Sequence, residues 1–277
     1  MAEAEWKRAN RACWDERVGV HLAPGGYDLA ALRAGTSRLN AIEEAELGPV
    51  AGLRVAHLQC HFGRDSLILA QRGAEVTGLD FSPPAIATAR LLAGELGLAD
   101  RARFVEADLY DARAAIPEPG GFDMVYVTWG AICWLADIRE WARIVAFFLK
   151  PGGRLYLAEA HPAAFVFDDL AKTADGMPGF YAPFFATEPL QFEAVKDYAN
   201  ETAALTNTTN YVWNHPIGDV VTALLDAGLR LDWLHEHDAI TWRMFDILRK
   251  DASGLYRWPD KRWLPLAYSL SATREVG

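Results

Sequence analysis

The spacing of apolar positions changes period along this chain. Over residues 54–80, Val55, Ala56 and Leu58 form a short apolar run that stops at a turn. Leu67, Ile68 and Ala70 then recur at helical spacing within 64–71, and Gly73 stands where a helix would stop. Val76, Gly78 and Leu79 run into one acid, Asp80. The pattern predicts strand, tight turn, helix, short loop and second strand. Ser82 as N-cap and Pro83 at the first helical position open a helix that runs to about Leu96, with Gly97 as its stop. Residues 103–106 and 122–127 read as a third and a fourth strand. Asp137 caps a helix whose stripe is Ile138, Trp141, Val145 and Phe148, and residues 154–159 form a fifth strand after the turn Lys150-Pro151-Gly152-Gly153.

Before this alternation, residues 1–47 read as amphipathic helices, with Trp6, Asn10, Cys13, Trp14 and Arg17 on one stripe and Leu29, Leu32, Leu39, Ile42 and Leu47 on later ones. After it, residues 162–215 break the pattern with prolines and with aromatics such as Phe165, Phe167, Phe180, Tyr181 and Phe185. Residues 198–213 alternate more like strand. The segment is too long and too apolar for a linker, which suggests a cap over a binding site; the other reading is that its rings pack a small core of their own. Val220, Val221, Leu224 and Leu225 then mark a helix stopped by Gly228, residues 229–237 a strand, and residues 266–273 a last strand. The division that follows is an N-terminal helical segment (1–47), an α/β core (48–161), a cap (162–215) and a C-terminal completion of the core sheet (216–277).

A βαβ start with an acid closing its second strand, about twenty residues past the first turn, suits a nucleoside: backbone N–H groups and a helix N-terminus approach the ligand, and the carboxylate accepts from two ribose hydroxyls. The turn itself, Gln59-Cys60-His61-Phe62-Gly63, has a single glycine and is poor for the pyrophosphate of a dinucleotide.

Composition narrows the field. The chain has 277 residues, enough for one large domain or a domain with a cap, and 51% hydrophobic residues. A net charge of −10 argues against a nucleic-acid partner. Cys13, Cys60 and Cys133 are widely spaced, which suggests reduced thiols in the cytoplasm. The charged start lacks the apolar core of a signal peptide, and no run of apolar residues is long enough to span a membrane.

The turn and its setting resemble the first motif of the class I S-adenosylmethionine (SAM) methyltransferases, with His57 at the usual acid, Gln59 and His61 at the first two glycines and Gly63 at the third. The L-Q-C-H-F-G spelling resembles a branch of small bacterial methyltransferases, and so do Trp213-Asn214-His215-Pro216 and A-G-L-R-L-D-W-L-H-E-H. Leu149-Lys150-Pro151-Gly152-Gly153 before the fifth strand is a phrase common in the family. The resemblance implies a Rossmann-like fold: a seven-stranded, mostly parallel sheet with helices on both faces, its seventh strand antiparallel between the fifth and sixth. It implies SAM as cofactor and S-adenosylhomocysteine as product. Asp80 would hold the ribose, Phe81 lie against adenine, Asp108 and the Leu109 N–H meet the adenine edge, and Gln59 and Gly63 meet the methionine end. Thr128 and Trp129 would stand beside the methyl group, where the Asn/Asp-Pro-Pro-Tyr motif of many amine methyltransferases is missing, which points to a small-molecule acceptor. The N-terminal segment would lid the site, bringing Trp14, Arg17 and Tyr27 to the methionine end or the substrate; the plainer alternative is a packed Trp, a solvated Arg and a Tyr anchoring a loop.

Methyl transfer needs alignment first, and a base only where the nucleophile holds a proton. His161, ending the fifth strand, and His215, where the cap rejoins the core, are the best-placed bases. His57 and His61 are expected to be structural, or to lie near the cofactor carboxylate. His235 and His237 share a strand face but lack a third ligand, so no metal is expected. The acceptor atom (N, O, S or C) and the choice between monomer and homodimer stay open. Two other readings remain: a SAM-binding protein of the same fold that does not methylate, and an NAD(P)-dependent oxidoreductase, which the single-glycine turn disfavours.

Overall fold

The structure is a computed structural model and describes residues 4–195, 197–200 and 202–276. Its centre is a seven-stranded sheet. We number its strands β1 (Arg54–Leu58), β2 (Glu75–Asp80), β3 (Ala102–Glu106), β4 (Phe122–Thr128), β5 (Leu149–Ala160), β6 (Leu229–His237) and β7 (Ala267–Arg274). Their order across the sheet is β6-β7-β5-β4-β1-β2-β3. Neighbours from β5 to β3 pair in parallel, with Val55 opposite Val76 and opposite Met124. β7 runs antiparallel to both β5 and β6. This is the Rossmann-like class I methyltransferase topology, with helices on both faces.

Among the described residues eight α-helices flank the sheet: α1 (Glu5–Leu22), α2 (Leu29–Arg33), α3 (Ala41–Glu46), α4 (Arg64–Gln71), α5 (Pro83–Glu95), α6 (Ala112–Ala115), α7 (Ile138–Phe148) and α8 (Ile217–Asp226). Interior strands are apolar on both sides because both faces are covered. On one face, Ile138, Trp141 and Val145 of α7 and Val220 and Leu224 of α8 pack on Val125, Leu155 and Leu270. On the other, Leu67 of α4 and Ile86 and Leu92 of α5 join Val55, Val76 and Phe104, with Val18, Leu32 and Leu39 from the N-terminal segment. Both expected caps form: Ser82 Oγ accepts from the Ala85 N–H, and Asp137 from the Glu140 N–H.

Three features differ from the sequence reading. β5 starts at Leu149, and its pairing with β4 slips between Phe122 and Met124, so Lys150–Gly153 is a bulge inside a strand rather than a turn before one. Of residues 198–213, only Thr209–Val212 form a strand, paired with Leu190–Glu193. The segment expected as one cap makes two separate contacts. The 190–212 hairpin leans on α1, where the Asn10 amide exchanges two hydrogen bonds with the Tyr211 backbone (2.9 and 2.8 Å) and Trp6 meets Trp213 edge-on. Phe165, Phe167 and Met177 pack instead with Ile240, Phe245, Leu248 and Trp258 of residues 238–266, an excursion between β6 and β7.

Candidate functional site

The turn after β1 holds an unusual backbone. Gln59 and His61 adopt φ of 58° and 50°, and Gly63 adopts 76°. The left-handed conformation costs a residue with a side chain about 1–2 kcal/mol, so the two positions resembling motif glycines keep a glycine-like path against resistance. Hydrogen bonds hold it: the Cys60 N–H to Leu79 O (2.9 Å), the His61 N–H to Asp80 Oδ2 (2.8 Å), and Gln59 Nε2 to Ala131 O (2.8 Å). Gly63 is fixed twice over, because a Cβ there would lie 2.6 Å from the Phe104 ring. Cys60 is buried beside Gly78, where a Cβ would stand 2.8 Å from its sulfur, so the thiol is packing.

Asp80 ends β2 directly under this turn. One carboxylate oxygen accepts from His61, the other from the Ser82 N–H (3.0 Å). Burial pushes its carboxyl up to about 6, against the pull of those two N–H groups. The Phe81 N–H also favours its charged form, and the carboxylate is buried behind the residues that line the neighbouring pocket.

Beside it opens a pocket of about 480 Å³, counting its mouth. Gln59, Phe81, Asp108 and Leu109 all line it, facing Trp6 and Lys7 of α1. Asp108 caps a 3₁₀ turn through the Tyr110 N–H (2.9 Å) and pairs with Lys7 Nζ (2.9 Å). Gln59 Oε1 is buried with no hydrogen-bond partner among the described residues.

The other expected residues lie elsewhere. Thr128 is buried at the end of β4, paired with Ala158 of β5. Trp14 packs edge-on against His61 and Trp134 (ring centroids 5.3 and 5.4 Å). Tyr27 packs on Phe62 and meets the Tyr198 hydroxyl at 3.2 Å, and burial pushes its phenol up to about 12. Arg17 is 5% exposed rather than solvated, its guanidinium 4.9 Å from the Trp14 ring centroid.

Both expected bases bond to the framework, His161 through both ring nitrogens and His215 through Nε2. His161 Nδ1 accepts from the Ala163 N–H (3.1 Å), so Nε2 carries the proton and donates to Glu236 (2.9 Å); both nitrogens serve the framework. Burial lowers its pKa, with Glu236 opposing. His215 Nε2 donates to Leu135 O (2.8 Å), which ties the segment before α8 to the loop after β4. His57 bonds Ser66 Oγ (2.7 Å), and burial lowers it to about 4. His235 and His237 both face Glu46, and among the described residues no group of three or more ligands has the arrangement for a metal.

Two further buried carboxylates hold the framework: Glu159, which the sequence places with His161 at the ligand-facing end of the fifth strand, and Glu43, which the sequence reading missed. Glu159, at the end of β5, accepts from the N–H groups of Gly130, Ala131, Ile132 and Ala160 and so fixes the loop after β4 (2.6 to 3.0 Å). Glu43 accepts from the Tyr126 hydroxyl (2.5 Å), Trp129 Nε1 (2.7 Å) and the Asn40 N–H (3.2 Å). Burial, and then Asp65, pushes it up to about 7. The Asn40-x-x-Glu43 capping box was the one visible signal.

With this geometry in place, the architecture is that of a class I methyltransferase, and comparison with known proteins agrees. Residues 56–155 match the family described as "Methyltransferase domain". The chain is 39% identical over 112 residues to the demethylmenaquinone methyltransferase of Thermus thermophilus, covering 39% of this chain and 48% of that protein. It is 34% identical over 113 residues to the ubiquinone biosynthesis O-methyltransferase of Ralstonia nicotianae, covering 41% and 45%. It thus spans about half the length of the curated relatives it matches. A SAM-dependent methyltransferase structure from Mesorhizobium loti superposes with a TM-score of 0.57 at 21% identity, covering 84% of this chain and 96% of that one.

Proposed function

We propose that this protein transfers the methyl group of SAM to a small, apolar or aromatic acceptor. The observation that carries this reading is the convergence of Gln59, Phe81, Asp108 and Leu109 on one pocket at the C-terminal edge of β1–β3, beside the buried Asp80 carboxylate. These residues fit the cofactor. Asp80 would accept from a ribose hydroxyl, Phe81 offers a flat apolar face to adenine, and Asp108 accepts from the exocyclic amine once Lys7 yields. The orphaned Gln59 Oε1 gains a donor in the cofactor's ammonium group. When bound, SAM supplies an electrophilic methyl on sulfur; the chain's task is to align the acceptor in line and exclude water. The L-Q-C-H-F-G spelling of the turn supports placement in the small-molecule branch that shares it, and the names of the two relatives, both referring to quinones, support a ring-bearing acceptor.

Titration with S-adenosylhomocysteine against NAD(P) tests the reading. Asp80→Ala removes hydrogen bonds to a charged group, about 1.5–3 kcal/mol, and should weaken S-adenosylhomocysteine binding roughly ten- to a hundredfold with the fold intact by circular dichroism. In the parent protein affinity should fall as pH drops through about 6, where Asp80 gains its proton. Unchanged binding in the variant, or binding of NAD(P) alone, overturns the site.

A further inference from the structure

α1 brings Lys7 and Arg11 to the pocket wall. They stand four residues apart, so they share one face of the helix, and both line the pocket. Lys7 Nζ lies 2.9 Å from Asp108 Oδ2. The other oxygen of that carboxylate, Oδ1, accepts from the Tyr110 N–H (2.9 Å), which closes the 3₁₀ turn after β3. The backbone therefore holds one oxygen, and Lys7 takes the other. Its ammonium also stands 5.4 Å from the Trp6 ring centroid and 5.3 Å from that of Tyr110, both on the pocket wall. The Arg11 guanidinium lies 5.7 Å from the Phe81 ring centroid.

Asp108 and Phe81 are the two contacts that the methyl-transfer reading gives to adenine. An aminated ring offers a donor to a carboxylate and a flat face to an aromatic side chain. Lys7 already supplies a donor to Asp108, and Arg11 a planar group at Phe81. A ligand amine that comes to Asp108 meets an ammonium with three hydrogens and a full charge in its place.

The helix itself is fastened elsewhere. Asn10 exchanges two hydrogen bonds with the Tyr211 backbone, and Glu16 accepts from the Thr206 and Asn207 N–H groups (both 2.7 Å). Lys7 can leave Asp108 without moving α1. Its charge sits at the end of a flexible four-carbon stem, and its side chain is 27% exposed, so water is at hand to receive it.

We propose that Lys7 is a built-in competitor of the cofactor: its ammonium holds Asp108 before the nucleoside arrives, gives way by a side-chain rotation as adenine enters, and retakes the carboxylate when S-adenosylhomocysteine leaves. This rests on the methyl-transfer reading and adds a regulation of the same site. α1 stays docked throughout, and binding exchanges one donor for another at Asp108. SAM and S-adenosylhomocysteine carry the same adenine, so the exchange lowers the affinity of both and helps to shed the product.

The test is titration of the full chain with S-adenosylhomocysteine, a zwitterion without net charge at neutral pH. Lys7→Met keeps the stem beside Trp6 and Tyr110 and removes the charge. It should bind S-adenosylhomocysteine roughly two- to fivefold tighter, the range that an ion pair partly open to water can be worth. Lys7→Arg keeps the charge and should bind no tighter than the parent. Raising sodium chloride from about 0.02 to about 0.5 M screens the ion pair, so it should tighten binding to the parent about twofold more than binding to Lys7→Met. Amide exchange at Tyr211 should not rise when the ligand binds, because α1 stays in place. Unchanged or weaker binding in Lys7→Met, tighter binding in Lys7→Arg, or an equal salt response in parent and Lys7→Met overturns the competition. Faster exchange at Tyr211 on binding overturns the side-chain exchange in favour of a moving helix. If parent and variants alike fail to bind S-adenosylhomocysteine, the methyl-transfer reading falls, and the competition with it.

Discussion

Single residues in this protein carry unusual backbone and unusual charge. Gly63 combines a φ of 76° with a Phe104 ring where its Cβ would go. Gly63→Ala should therefore cost about 2–4 kcal/mol, seen as a lowered urea midpoint, with S-adenosylhomocysteine affinity falling in parallel. Glu43 binds its proton more tightly folded, at about 7, than its usual 4.5. Its contribution to stability is complete below about pH 4.5 and is lost as pH rises through 7. Glu43→Gln keeps the shape without the titration and should flatten that part of the stability–pH curve in urea unfolding. Gly63 and Asp80 could be read from the sequence because residue type alone suggests a turn glycine and a strand-ending acid. The left-handed Gln59 and His61 could not, since their conformation is imposed by bonds to Leu79, Asp80 and Ala131. The His21–Asp197 contact joins positions 176 apart, and no local pattern announces it.

At the scale of elements, α1 is the piece that joins otherwise separate parts. It lines the pocket through Trp6 and Lys7, holds the 190–212 hairpin through Asn10, and reaches the turn after β1 through His21. Asn10→Ala strips two buried hydrogen bonds from the Tyr211 backbone and should cost about 1–3 kcal/mol. The measurable sign is faster hydrogen exchange at Tyr211 with the central sheet unaffected. The strands and helices of the core were legible because their apolar periods are clean. The cap was not, because its order comes from contacts with α1 and with residues 238–266 instead of from a repeating pattern of its own. His161 and His215 were sound choices by position, at a strand end and a junction. His161 bonds the scaffold through both ring nitrogens and His215 through one, a use that spacing does not reveal.

Across the whole molecule, the pocket lies at the β1–β3 side of the sheet, while the excursion of residues 238–266 leaves it at the β6–β7 side. β6 and β7 pair from Leu229 with Arg274 through to His237 with Ala267, and Leu266 N–H closes on His237 O at 2.8 Å. The excursion of residues 238–266 therefore leaves the sheet and returns to it at a single point. Replacing those residues with a two-residue turn should leave S-adenosylhomocysteine affinity within a few fold while exposing Phe165 and Phe167, detectable by dye binding and by altered acceptor choice. A segment whose two ends already touch behaves as an exchangeable cartridge. A change in its length leaves the pairing of β6 with β7 in place, so on the methyl-transfer reading the acceptor side is open to change while the turn after β1 keeps its geometry.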